Sequence, residues 1–351
     1  MREPPRALVV DLELAACKAK RIEDEHDEER GYTAGVLAVA QALEQGRYQG
    51  RVARALARAW AEAASRSLVR SLPRPDHVRL VAIGGATLGG SGKTPLAIAC
   101  ARALARGGAR VAFVGHAYRA SPRRARVVSP ADALAEVGDE AIVAAAALAR
   151  EGVPVVVGPS RAGAVALAST LADVLVVDGV LQTSPRATLA LLAVDAAQPW
   201  GSAVAVPPCG DLRASREALC SASDLVVRVG DDSPDAAAVC RGARVGDSLL
   251  SWTDLASLRL GLVTALARPE RVLASLARRG VFASVVVRGG DHGRVPRGAL
   301  EAQVDLWLAS PKCALHAPIS RSAPLAVLDH DLQLSGALRG RLAEGLSPGP
   351  P

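Results

Sequence analysis

Of all stretches in this chain, Gly84-Gly85-Ala86-Thr87-Leu88-Gly89-Gly90-Ser91-Gly92-Lys93-Thr94-Pro95 restricts the possible folds most. An apolar run, Val78 to Ile83, precedes it, and an alanine-rich helical pattern, Leu96 to Ala105, follows. Strand, glycine loop and helix in that order form a cradle for phosphate. The loop's N–H groups turn inward on an anion, and the helix adds its positive N-terminal end. Thr87, Gly89, Gly90, Ser91, Gly92, Lys93 and Thr94 are the candidate nucleotide contacts. Lys93 is placed to neutralise the β- and γ-phosphates, and the Thr94 hydroxyl to ligate Mg²⁺. Lysine is otherwise confined to Lys18, Lys20 and Lys312, which makes its presence in the loop pointed. The strict pattern asks for glycine where Thr87 stands, and an ordinary glycine-rich turn is the competing reading.

With 351 residues, half of them hydrophobic, the chain can bury a large core, and its length suggests two or three domains. The net charge of +7 comes from arginine spread along the sequence, without the aromatic interleaving that single-stranded nucleic acid needs. Nucleic acid is not expected; acidic small molecules or an anionic membrane surface are. Cys17, Cys100, Cys209, Cys220, Cys240 and Cys313 show no Cys-x-x-Cys pair and no metal spacing, as for reduced thiols of a cytoplasmic protein. No apolar run approaches the ~20 residues of a membrane span.

The expected class is α/β, a P-loop NTPase-like parallel sheet flanked by helices. Residues 1–75 read as a charged, helical N-terminal segment with a candidate helix at Ala34–Leu43 and another at Arg51–Leu72. In the latter, Leu56, Trp60, Ala64, Leu68 and Leu72 recur at spacing four, with arginines on the other faces. Such a helix either rests on anionic lipid or packs on its own domain. Residues 76–255 form the P-loop core, with strands expected at Val78–Ile83, Val111–Val114, Val155–Val157, Val174–Val177, Leu189–Val194 and Leu225–Val229. Helices at Leu96–Ala105, Glu140–Arg150, Ala162–Leu171 and Arg213–Ala222 intervene, the pattern of a parallel sheet covered on both faces. Residues 256–346 read as a smaller C-terminal α/β lobe, with a helix near Arg297–Gln303 and a final strand at Ala326–Leu328, and 347–351 as a disordered tail.

In such sheets ligands gather past the carboxyl ends of strands. Asp178 ends one strand and is a candidate Mg²⁺ partner, or else a turn aspartate. Asp139 and Glu140 open a helix, either as a cap or as carboxylates facing a substrate hydroxyl. Asp291-His292 follows a strand and could supply a proton acceptor with its orienter, or be solvated.

From Val78 to Leu328 these motifs resemble, in content and order, the tetraacyldisaccharide 4'-kinase family, which phosphorylates a lipid A precursor. The family loop reads Gly-Asn-x-Thr-Val-Gly-Gly-Thr-Gly-Lys-Thr-Pro, so Thr87 is what the family itself carries. Val137-Gly138-Asp139-Glu140, Val157-Gly158-Pro159-Ser160-Arg161, the Ala172–Gln182 segment, Pro208–Arg213, Ala267–Arg271 and Asp291-His292 resemble further family motifs. Departures are Gly85 for Asn, Gly115-His116-Ala117-Tyr118-Arg119 for Ser-Arg-Gly-Tyr-Gly, and Thr183 for His. Ser310-Pro311-Lys312-Cys313 replaces Thr-Glu-Lys-Asp, and Gly179 replaces the second Asp of a pair, removing a Mg²⁺-linked carboxylate. The N-terminal region lacks the plainly hydrophobic helix that anchors family members.

The resemblance implies ATP and Mg²⁺ as cofactors and transfer of the γ-phosphoryl group to the 4'-hydroxyl of a lipid disaccharide. It implies Lys93, Asp139 and His292 as catalytic groups, Thr94 and Asp178 on the metal, and Glu140, Gln182 and Arg213 toward the substrate. It implies a cytoplasmic protein, peripheral on the inner membrane, with no obligate protein partner. Two rivals remain. One is a nucleotide-binding regulatory module without turnover; the other is a P-loop GTPase or metallochaperone, for which a guanine-reading motif and a metal cluster are lacking.

Overall fold

The computed structural model describes residues 39, 42–43, 45–117, 120–266, 269–289, 295, 300, 302–318 and 323–346. The expected helix at Ala34–Leu43, the expected tail and most of a helix expected near Arg297–Gln303 lie largely outside them.

The strands in chain order are β1 (Val69–Ser71), β2 (Arg79–Gly85), β3 (Val111–Val114), β4 (Arg126–Val127) and β5 (Val155–Val157). They continue as β6 (Val174–Asp178), β7 (Gln182–Ser184), β8 (Leu189–Asp195), β9 (Leu225–Gly230) and β10 (Ala236–Val245). The last five are β11 (Ser248–Leu250), β12 (Leu260–Thr264), β13 (Ala283–Arg288), β14 (Leu306–Ala309) and β15 (Leu325–Leu334). Among the described residues, one sheet runs β13-β12-β14-β15-β10-β9-β8-β2-β6-β3-β5-β4, with β11 on β10. From β10 to β5 every neighbouring pair is parallel. The β12–β15 block is internally parallel too, but β15 meets β10 antiparallel, so the two blocks run in opposite senses.

Alternation along each strand sorts the core. Val81 and Ile83 of β2 join one buried cluster with Val174, Val176, Leu191 and the helices Lys93–Arg106 and Asp139–Leu148. Leu80 and Ala82, one residue out of step, join the opposite cluster with Leu175, Val177 and the helix Arg161–Ala168. Apolar burial on both faces is what a continuous Val/Leu run requires. The C-terminal block repeats the arrangement, Leu306 and Leu308 facing one cluster and Trp307 and Ala309 the other.

Four expectations are corrected. The helix starting at Arg51 ends at Ser67, not Leu72, because Val69–Ser71 forms β1 and pairs in parallel with β7. Its inward face is Ala57, Ala61 and Ala64, small enough for close approach, with Leu68 packed inward just past its end, whereas Leu56 and Trp60 are exposed. The helix expected from Arg213 begins only at Arg216, where the Ser215 hydroxyl caps it through the Ala218 N–H. The long antiparallel pair β10–β15 extends well beyond the expected final strand Ala326–Leu328.

Candidate active site

Gly84 and Gly85 end β2 packed so closely that a side chain is excluded. A Cβ on Gly85 would lie 2.0 Å from Ser91 Oγ, and one on Gly84 2.7 Å from Leu181 Cβ. The loop then turns through Gly90 (φ +69°) and Gly92 (φ +79°), conformations that favour glycine, and releases Lys93 as the first residue of its helix. Thr87 is buried, its hydroxyl donating to the Gly89 carbonyl at 2.7 Å, and it bridges to Leu212. Thr87 thus braces the loop from within, which explains why threonine serves at this position.

Thr94 Oγ1 donates to Asp178 Oδ2 at 2.6 Å, and Lys93 Nζ lies 3.3 Å from the same hydroxyl. The parallel pairing of β2 and β6 causes this, since Ile83 is registered against Asp178. Asp178 is 1% exposed, and its other oxygen, Oδ1, has no hydrogen-bond partner. A buried carboxylate oxygen beside a hydroxyl is a donor set that a hard cation such as Mg²⁺ accepts, so these residues fit that ion. Among the described residues no cluster of three or more His, Cys, Asp or Glu could hold a metal by itself.

Lys93 also reaches Glu140 Oε1 at 3.6 Å, which brings the start of the Asp139–Leu148 helix to the loop. Asp139 is buried; its Oδ1 accepts the Glu140 N–H at 2.7 Å and its Oδ2 lies 2.8 Å from His316 Nε2. His292, the other half of the sequence-derived pair, lies outside the described residues, as does Asp291.

Arg161 and Arg213 bring two half-buried guanidinium groups to the same place. Burial lowers the basicity of each, while Asp178 and Glu140 act in the opposite direction. Arg161 Nη1 donates to the Asp178 carbonyl. Gly179 has φ +76°, and a Cβ there would come within 2.9 Å of Arg161 Nη2. A guanidinium therefore borders the position where the family motif has a second aspartate. His116 joins the group from the end of β3; lost solvation, then Arg161 and Lys93, push its pKa down to about 4.

Gln182 is not brought into this group. Its Oε1 accepts the N–H groups of Thr183 and Ala187, both at 2.9 Å, and its Nε2 donates to the Ala222 carbonyl at 3.2 Å. It braces the chain after β6. Arg213, in contrast, lines a cavity of about 390 Å³ with Trp60, Leu68, Arg70, Leu181 and Leu219, bordered by Gly84, Gly85 and Gly179. Trp60 Nε1 donates to the Arg213 carbonyl at 3.2 Å, closing the helix over that cavity.

The sequence reading passed over Arg161, His116 and His316 as site residues. His116 and Arg161 follow β3 and β5 at their carboxyl ends, the signal that singled out Asp178, whereas His316 stands beyond the short helix after β14 and carries no such signal. The C-terminal block adds Arg271, whose guanidinium donates to the Gly90 carbonyl and pairs with Asp195 at 3.0 Å.

Comparison with known proteins places these features in company. A family model described as tetraacyldisaccharide-1-P 4'-kinase matches residues 50–302. A tetraacyldisaccharide 4'-kinase of Methylobacterium sp. (strain 4-46) is 37% identical over 235 residues, covering 64% of this chain and 69% of the relative. One from Allorhizobium ampelinum is 31% identical over 238 residues, covering 65% and 67%. The matched part thus spans about two thirds of each relative. An Aquifex aeolicus LpxK crystal structure, described as an "apo" form in complex with ATP, superposes with a TM-score of 0.61 at 16% identity. That superposition covers 83% of this chain and 98% of the Aquifex chain, and shows a shared fold.

Proposed function

This chain belongs to the tetraacyldisaccharide 4'-kinase family, and from that membership we propose how its own residues bring about the transfer of phosphate from ATP to the 4'-hydroxyl of a tetraacyldisaccharide 1-phosphate. The observation that carries the assignment of roles is the convergence of Asp178, from the end of β6, and Asp139–Glu140, from a helix start, on Lys93 and Thr94 of the glycine loop.

The loop amides and Lys93 hold the β- and γ-phosphates, with Arg161 and Arg213 adding fixed positive charge. Thr94 and Asp178 hold Mg²⁺, which neutralises charge on the phosphate oxygens when bound. The acceptor hydroxyl oxygen bonds to the γ-phosphorus as the bond from that phosphorus to the ADP oxygen breaks. The hydroxyl proton passes to the Asp139 carboxylate. A carboxylate is a weak base, with an ordinary pKa of ~4, but a loose transition state leaves proton removal late and undemanding. Positioning and charge neutralisation provide the acceleration.

The cavity under the Arg51–Ser67 helix suits part of the lipid substrate. Trp60, Leu68, Leu181 and Leu219 offer apolar surface, while Arg70 and Arg213 suit an anionic group. Val52 and Leu56 are exposed on that helix near Arg51, Arg54 and Arg58, which supports peripheral contact with an anionic membrane. No helix among the described residues is long and apolar enough to cross a membrane.

The test is incubation of the full chain with γ-labelled ATP, Mg²⁺ and tetraacyldisaccharide 1-phosphate. Label is expected on the lipid, and Lys93→Ala and Asp139→Ala are each expected to abolish it. Tight binding of an ATP analogue without label transfer would select a nucleotide-binding regulatory module instead. Activity retained by Asp139→Ala would remove that residue from the base role.

A further inference from the structure

The carboxylate assigned as proton acceptor is held by a histidine from the far end of the chain. We propose that His316 is a positioning residue for phosphoryl transfer, fixing the Asp139 carboxylate through an Nε2–H donated to Oδ2. This deepens the kinase reading above and rests on it.

Asp139 and His316 are 177 positions apart, yet Nε2 lies 2.8 Å from Oδ2. Their side chains are only 3% and 9% exposed, so water competes little for the bond, and a charged acceptor strengthens it. A carboxylate only accepts, so the imidazole tautomer here carries its hydrogen on Nε2. The second oxygen, Oδ1, accepts the Glu140 N–H at 2.7 Å, one of the unpaired donors of the helix start. With both oxygens anchored, rotation about the Cβ–Cγ bond is blocked. Each oxygen has two lone pairs, so the carboxylate keeps capacity for a substrate hydroxyl.

His316 is itself tightly placed. After β14 the Ser310 hydroxyl caps a short helix, Pro311–Ala314, through the Cys313 N–H at 3.2 Å. Cys313 is buried and its sulfur accepts the Ala265 N–H, tying the segment to the end of β12. Leu315 packs on the cluster containing Val137, Ala141 and Ile142, beside Asp139. The His316 N–H donates to the Cys313 carbonyl at 3.1 Å, and its own carbonyl accepts from Val295 at 3.3 Å. Ser310-Pro311-Lys312-Cys313, which departs from the family's Thr-Glu-Lys-Asp, is thus the mount for a histidine that acts on the base.

The test compares wild type, His316→Ala and His316→Gln in the full chain. It measures steady-state kinetics with ATP, Mg²⁺ and tetraacyldisaccharide 1-phosphate, together with thermal melting and ATP-analogue affinity. His316→Ala is expected to lower kcat at least about 10-fold, with KM for both substrates and analogue affinity within about twofold. His316→Gln, whose Nε2–H reaches the same oxygen, is expected to return to within about threefold of wild type. If His316→Ala does not fold, His316→Leu, which fills the space without a donor, takes its place. Wild-type kcat in the donorless variant would overturn the proposal, as would a glutamine variant that melts normally but is no better than it. Wild-type protein that transfers no label overturns the kinase reading and this role together; wild-type transfer with indifference to residue 316 overturns this role alone.

Discussion

His116 and Gly179 show how single residues set the electrostatics of the phosphate site. His116 loses solvation near Arg161 and Lys93, so the folded chain favours its neutral form, with a pKa of about 4 against the ordinary 6.5. Between those values the unfolded chain binds more protons, so stability rises with pH across the window and falls on acidification. Urea unfolding of wild type and His116→Gln from pH 4 to pH 7 should show a smaller slope in the variant; identical slopes would remove His116 as the cause. At Gly179 the backbone is left-handed, and the nearest obstacle is the flexible end of Arg161. Gly179→Ala should cost ~1–2 kcal/mol, mainly from the positive φ. Gly179→Asp should cost less, because aspartate tolerates that conformation and Arg161 can shift to pair with it. Denaturation midpoints of the two variants check the order.

Among elements, the Arg51–Ser67 helix separates two roles that its sequence periodicity merged. The spacing-four stripe of Leu56, Trp60, Ala64, Leu68 and Leu72 suggested one apolar face. Packing instead turns the alanines inward and leaves Val52 and Leu56 in solvent. Val52→Asp with Leu56→Asp should therefore reduce co-sedimentation with anionic vesicles several-fold while leaving the melting temperature within about 2 °C, since neither side chain supports the core. Unchanged vesicle binding would place any lipid contact elsewhere. The strands of the P-loop core were legible because each is a nearly continuous apolar run. β15 was legible only at Ala326–Leu328, because Asp329-His330-Asp331 reads locally as a polar loop. In the fold those aspartates are paired: Asp329 with Arg244 at 3.2 Å, Asp331 with Arg102 at 2.5 Å. Ion partners distant in sequence make a charged decapeptide a strand, and no local window contains them.

Across the whole molecule, the reversal at β10–β15 decides how the two blocks cooperate. Strand twist of ~20–25° per step accumulates across such a sheet, and segments after β12 and β14 lie against the phosphate loop and Asp139. Two contacts record this, His316 on Asp139 and Arg271 on the Gly90 carbonyl and Asp195. Arg271→Ala should weaken ATP-analogue binding about 3–10-fold by loosening the glycine loop, with the far-UV spectrum unchanged. Calorimetric titration of the variant checks it, and wild-type affinity would show that the clasp does not influence the loop.

The sequence alone determined the glycine loop, its lysine and threonine, the carboxylates past neighbouring strands and the α/β class. These depend on residues adjacent in the chain, where spacing is geometry. Tertiary structure decided which partners those groups acquired: Arg161 against Gly179, His316 on Asp139, Gln182 turned into the scaffold and Arg271 on the loop. The Arg161 and Gln182 contacts depend on strand order within the parallel core; those of His316 and Arg271 depend also on one antiparallel join, and contacts between residues more than a hundred positions apart leave no periodic trace in either segment.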